Sequence, residues 1–166
     1  GKGKMSNIEL FSKLGLRAKS VTLTKSGART EDLKLFPVDF DELQDPNLPF
    51  EESSFYSHFA DSQFLFIVFE EPSRESPLKE NQLKGFKRFS FDEAFIQEMA
   101  QPVWEEARRL IRNNELRFVP EIDKQTGLPR INRSGVVRGA PNWPKAKDGS
   151  VFFRGTGRDA TDKPIC

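Results

Sequence analysis

The chain is 166 residues long, balances 26 Lys/Arg against 25 Asp/Glu for a net charge of +1, and carries 16 phenylalanines beside one tyrosine, one histidine and one cysteine. That length suits one domain with a core expected to be built on phenyl rings, and with only His58 and the terminal Cys166 a Cys/His zinc cluster and an internal disulfide framework are excluded. The longest apolar run, residues 64–69, falls far short of the roughly 20 residues a membrane helix needs, so a soluble, cytoplasmic protein is expected.

Gly1-Lys2-Gly3-Lys4 opens a stretch, 1–7, that reads as a linker or tag remnant, leaving 8–166 as a single domain. Residues 14–24 alternate through Leu14, Leu16 and Ala18, then Val21 and Leu23 after a phase shift, which predicts a strand with a bulge. Lys25-Ser26-Gly27-Ala28-Arg29 reads as a turn into a second extended run over 31–40, and the two together predict a β-hairpin. A short amphipathic helix follows over 51–60, with Phe55, Tyr56 and Phe59 on one face. Residues 63–70 are apolar on both faces, the pattern of a strand inside a sheet.

Residues 72–82 read as a polar loop and 84–91 as another strand. Ser90-Phe91-Asp92-Glu93 has the spacing of a capping box, so a helix is expected there, broken or restarted at Pro102. Val103, Trp104, Ala107, Leu110 and Ile111 continue the stripe, which marks Trp104 as core rather than a ligand platform. Beyond residue 123 six of the eleven glycines and four of the eleven prolines gather, with Val151-Phe152-Phe153 as a short strand; no internal repeat is evident. Mixed strands and helices of this kind give an α/β or α+β domain.

The near-zero net charge hides an asymmetry. Residues 1–34 hold eight Lys/Arg against three acids, 35–123 hold nine against nineteen, and 124–166 return to nine against three. Basic ends that converge would attract phosphates and bind them with strong salt dependence.

A metal-dependent nuclease needs carboxylates for Mg²⁺ and a nearby lysine, often as an acid-x-Lys pair on a strand, where i and i+2 project from one face. No Glu-x-Lys occurs, and the single Asp-x-Lys is Asp32-Leu33-Lys34. His58 is the only histidine available as a base, and no Gly-x-x-x-x-Gly-Lys phosphate loop is present. The residues themselves display no catalytic machinery.

Three stretches resemble the MutH family, which includes GATC-cutting type II restriction endonucleases. Phe11-Ser12-Lys13-Leu14-Gly15-Leu16-Arg17-Ala18-Lys19 looks like the family's Gly-apolar-Glu-x-Lys segment; residues 63–69, after a helix, look like its buried strand; and Asn142-Trp143-Pro144-Lys145 with Val151-Phe152-Phe153-Arg154 look like its C-terminal strand and basic loop. Gly15, Leu16 and Lys19 keep the frame, but Arg17 stands at the carboxylate position, and the upstream acid position falls on Leu10 or Phe11 with only Glu9 nearby. A guanidinium there repels a divalent cation and offers it no oxygen.

The resemblance, over about 8–163, implies a restriction-endonuclease-like mixed sheet flanked by helices, in the C-terminal, non-catalytic effector domain of a type II restriction endonuclease. It also implies a GATC-containing duplex as ligand, a catalytic domain in the same longer chain, Mg²⁺ for the full enzyme but none held by this domain, and room for a homodimer. Candidate DNA contacts are Arg154, Arg158 and Lys145 from the C-terminal loops, with Arg130, Arg133 and Arg138 from the glycine-rich loop before them. Arg17 is expected to pair with a neighbouring carboxylate in the lost metal site. Two other readings stay open: an active Mg²⁺ nuclease built on Asp32 and Lys34, and a protein-interaction module working through the acidic middle.

Overall fold

A computed structural model describes residues 15–74 and 76–154. They form a mixed α+β structure divided into two compact units, each assembled from two pieces of chain: residues 15–34 with 59–92, and 35–58 with 93–154.

The first unit is a three-stranded mixed sheet of β1 (Leu16–Leu23), β2 (Gln63–Glu70) and β3 (Gln82–Phe89) in the order β1-β2-β3. β2 runs parallel to β1 and antiparallel to β3. Its Phe-Leu-Phe-Ile-Val-Phe run is aromatic or β-branched at five of six positions, and it takes the centre of the sheet, paired on both edges. Phe64 is fully buried, edge-to-face with Phe91 at 5.6 Å and stacked on Phe66 at 5.9 Å, and Phe59 meets Phe91 at 4.9 Å. The core of this unit is therefore phenyl on phenyl, as the composition suggests, each such pair adding about 0.5–1.5 kcal/mol beyond burial.

The expected β-hairpin forms only at its root. Thr24 N donates to Ala28 O (2.8 Å), Thr30 N to Thr22 O (3.2 Å), and Leu23 bridges Arg29, but residues 31–40 hold only a single bridge position, Val38, and no strand. Pro37 lacks an amide, Glu31, Asp32 and Lys34 are exposed, and the apolar flank of β2 is the stronger competitor for β1. The connecting polar loop contains one 3-10 turn, Leu78–Glu80, and β3 begins two residues earlier than the alternation of Phe86, Phe89 and Phe91 indicates.

The second unit is mainly helical. α1 (Phe40–Gln44) is capped by Asp39, whose carboxylate accepts from Asp41 N at 2.9 Å. The helix expected from residue 51 is split: Phe50–Glu52 is a 3-10 turn and α2 is Ser54–Ala60, because Ser53 turns extended and caps α2 by accepting from Tyr56 N at 3.1 Å. α3 (Glu93–Phe95) passes through a π-helical turn, Ile96–Ala100, into α4 (Gln101–Arg112). The wide turn, closed by Gln101 N to Ile96 O, sits just before Pro102, whose ring would crowd the carbonyl four residues back in a regular helix. Pro102 thus both loosens one helix and opens the next.

Trp104 is 0% exposed and stacks on Phe55 at 5.4 Å, confirming it as core. The Arg108 guanidinium lies over its ring, 5.5 Å from the centroid, and donates to the carbonyls of Asp45 and Leu48, while Arg112 donates to Pro46 O at 2.9 Å. Two arginines of α4 therefore clip residues 45–48 onto the helix. β4 (Phe118–Pro120) and β5 (Gly139–Pro141) form a small antiparallel pair. Val151-Phe152-Phe153 is not a strand; Phe153 is held by burial, edge-on to Phe55 (5.6 Å) and Trp143 (5.9 Å), rather than by a ladder. Among the described residues no helix is long and apolar enough to cross a membrane.

Trp104→Ala is expected to destabilise the protein by about 3–5 kcal/mol, the usual cost of emptying a large aromatic site, read as a lower urea midpoint with an unchanged slope.

Candidate nucleic-acid interface

On β1 the register sets Arg17 beside Phe64 and Lys19 beside Phe66, so both cations share the face of the sheet that carries those two residues. Arg17 is exposed and no carboxylate among the described residues pairs with it; Glu9, the acid expected nearby, lies outside the described residues. Lys19 Nζ donates to Lys34 O at 2.7 Å. This face of β1 carries Arg17, Lys19, Val21 and Leu23 and so supplies no side-chain oxygen from the strand itself; among the described residues no group of three His, Cys, Asp or Glu is placed to hold a metal. Asp32 and Lys34 are exposed and lie off every strand, so they lack the shared-face projection that an acid-x-Lys pair requires.

The glycine-rich stretch is more ordered than its composition indicates, and it contains a repeat that the sequence reading overlooked. Ile122-Asp123-Lys124-Gln125-Thr126-Gly127-Leu128-Pro129-Arg130 is followed at once by Ile131-Asn132-Arg133-Ser134-Gly135-Val136-Val137-Arg138. Both copies fold alike. The Asp123 carboxylate accepts from Gln125 N (2.9 Å) and Thr126 N (3.0 Å); the Asn132 side chain accepts from Ser134 N (3.0 Å) and Val136 N (3.0 Å).

Asp123 N then donates to Leu128 O and Asn132 N to Val136 O, each at 2.9 Å, closing two tight hairpins. Gly127 (φ 70°) and Gly135 (φ 83°) occupy the same left-handed position, open to glycine without strain. The signal available in the sequence was Ile-Asx-cation, then hydroxyl-Gly-apolar-x-Arg, obscured by the single extra residue Gln125.

The bases of the two hairpins are joined in a ring. Glu121 N donates to Arg138 O (2.8 Å), Arg138 N to Arg130 O (2.7 Å), and Arg130 N to Glu121 O (2.7 Å). Side chains reinforce it: Arg130 binds Glu121 Oε1 at 2.9 Å and Asp123 Oδ2 at 3.2 Å, and Arg138 binds Glu121 Oε2 at 3.1 Å. One carboxylate thus collects both repeat-ending arginines. These pairs are about half exposed, which limits each to about 0–1 kcal/mol.

Of the expected DNA contacts, Arg130 and Arg138 therefore converge on Glu121, whereas Arg133 sits exposed in the second hairpin's turn. Lys145 opens a separate turn closed by Asp148, with Lys145 N donating to Asp148 Oδ2 at 2.9 Å. Arg154 is exposed directly after the buried Phe153, which fixes where it leaves the core. Arg158 lies outside the described residues. Lys124, exposed in the first hairpin's turn, was not singled out from sequence and occupies the position equivalent to Arg133.

No protein-family model matches the chain, and no curated protein matches it.

Asp123 gives the site a pH signature. The amides of Thr126 and Gln125, and then Arg130, hold its carboxyl below the ordinary aspartate range. A lowered folded-state value means that the stabilisation is complete above that range and is lost as pH falls through the folded value. Amide protons of Gln125 and Thr126 are expected to lose exchange protection on acidification, while Ser134 and Val136, held by the non-titrating Asn132, keep theirs. Asp123→Asn should abolish the difference, as monitored by hydrogen exchange.

Proposed function

We propose that this chain is a non-catalytic duplex-DNA-binding domain, of restriction-endonuclease-like architecture, that serves a type II restriction endonuclease whose catalytic domain and Mg²⁺ site lie elsewhere. The observation that carries the reading is Arg17. It stands, with Lys19, on the strand face from which the resembled family holds its divalent ion, and it supplies charge of the wrong sign for that work. Cutting is lost while binding is kept.

Binding rests on the cations of residues 124–154. Arg133, Lys145 and Arg154 are presented on ordered turns or beside a buried anchor, and a guanidinium fork can pair with guanine O6/N7 or with phosphate. Support for GATC as the recognised sequence comes from the resemblance; support for polyanion binding in general comes from the charge segregation.

Fluorescence anisotropy with a GATC-containing duplex and a scrambled duplex tests the proposal. Tighter binding of the first is expected, with affinity falling steeply as salt rises, and equal binding of both would remove the sequence-reading part. Arg154→Ala should weaken specific binding by about 1–3 kcal/mol if Arg154 reads a base. Incubation of plasmid with this chain and Mg²⁺ should leave it uncut; cleavage that survives Arg17→Ala but not Asp32→Asn would transfer the reading to a nuclease built on Asp32.

A further inference from the structure

Residues 121–138 hold two acids, Glu121 and Asp123, and four cations, Lys124, Arg130, Arg133 and Arg138. Both acids are engaged by the arginines that end each repeat. The remaining cations, Lys124 and Arg133, each follow the Asx residue of a hairpin turn, are exposed, and have no partner among the described residues. The same chemistry at the same position of two consecutive turns is a paired arrangement, not scatter.

The apolar residue that precedes each Asx is also left in solvent, Ile122 at 49% and Ile131 at 61% exposure. A short ribbon with apolar sides and cationic tips matches a nucleic-acid groove, where apolar atoms meet sugars and the cations meet the phosphates on the rim.

We propose that the tandem hairpins form a two-pronged clamp on the backbone of one duplex, with Lys124 and Arg133 as its phosphate contacts and with Glu121, Arg130 and Arg138 as the scaffold that sets the prongs. The assignment rests on the DNA-binding reading and adds to it a division of labour. The repeat-ending arginines position the turns; the turn cations touch the ligand. Pre-ordering by the Asx bonds means that little loop entropy is lost when the tips engage.

The test is anisotropy of a labelled GATC-containing duplex over a series of salt concentrations, using the full chain. Each phosphate contact removed should lower the slope of log affinity against log salt by about one, so Lys124→Ala with Arg133→Ala should lower it by about two and weaken binding roughly tenfold to a hundredfold near 0.1 M salt. Arg74→Ala with Lys79→Ala removes the same net charge from another exposed stretch and should leave the slope near that of the unaltered chain. The charge-conserving Lys124→Arg with Arg133→Lys should also retain it.

If the unaltered chain binds duplex and the tip variant behaves like the Arg74/Lys79 variant, the clamp is overturned and the DNA reading survives; the hairpins would then face a protein. If the unaltered chain fails to bind any duplex in dilute salt, both fall. Circular dichroism of the tip variant should match the unaltered chain, since neither side chain has a partner among the described residues to lose, and a variant that unfolds would contradict the scaffold assignment.

Discussion

A strand that is apolar on both faces cannot sit at the rim of a sheet, and β2 is such a strand. Its demand for cover on each side accounts for much of what surrounds it. β1 is recruited in parallel, and parallel pairing cannot be closed by a tight turn, so a long connection between β1 and β2 is obligatory. That connection, residues 24–62, is where the chain departs to lay down the first piece of the second unit before returning at Phe59. The pairing also fixes parity on β1, so that Arg17 and Lys19 share a face with Phe64 and Phe66.

The distribution of partners matters more than the tally of charges. In the glycine-rich stretch the carboxylates of Glu121 and Asp123 are spent on Arg130 and Arg138, so a count of basic residues overstates the positive potential available to a ligand. Exposed ion pairs of this kind are individually weak and screened by salt, yet here they act on a frame already closed by backbone hydrogen bonds. Their contribution is orientation. Arg108 and Arg112 play a comparable part in the helical unit, where they satisfy carbonyls of residues 45–48 rather than carboxylates.

How far the sequence could be read follows from the range of the forces involved. β2, β3 and the apolar stripe of α4 were legible because a periodic run carries its own signal, and Trp104 was recognisable as core from its place in that stripe. The break at Pro102 was visible too, since a missing amide is a local fact, although the π turn that absorbs it was not. The partner of β1 was misjudged: local alternation pointed to residues 31–40, whereas a competition across 47 positions in register went to β2. Residues 151–153 look like a strand by composition, but Phe153 is bound through its ring to Phe55 and Trp143, a contact no short window reveals. Of the candidate interface, the basic character was legible and its tandem construction was not. One extra residue, Gln125, shifts the second half of the first copy and hides the match.

The backbone ring at Glu121, Arg130 and Arg138 has a consequence for how such a stretch can change. Each of the three segments donates to one neighbour and accepts from the other, so the closure is held from all three sides. All variation in length is pushed outward, to the ends of the loops the ring holds. Gln125 is an instance, an added residue accommodated without disturbing the closure beneath it. Such an arrangement lets the reach of each loop be adjusted one residue at a time while its root stays in place.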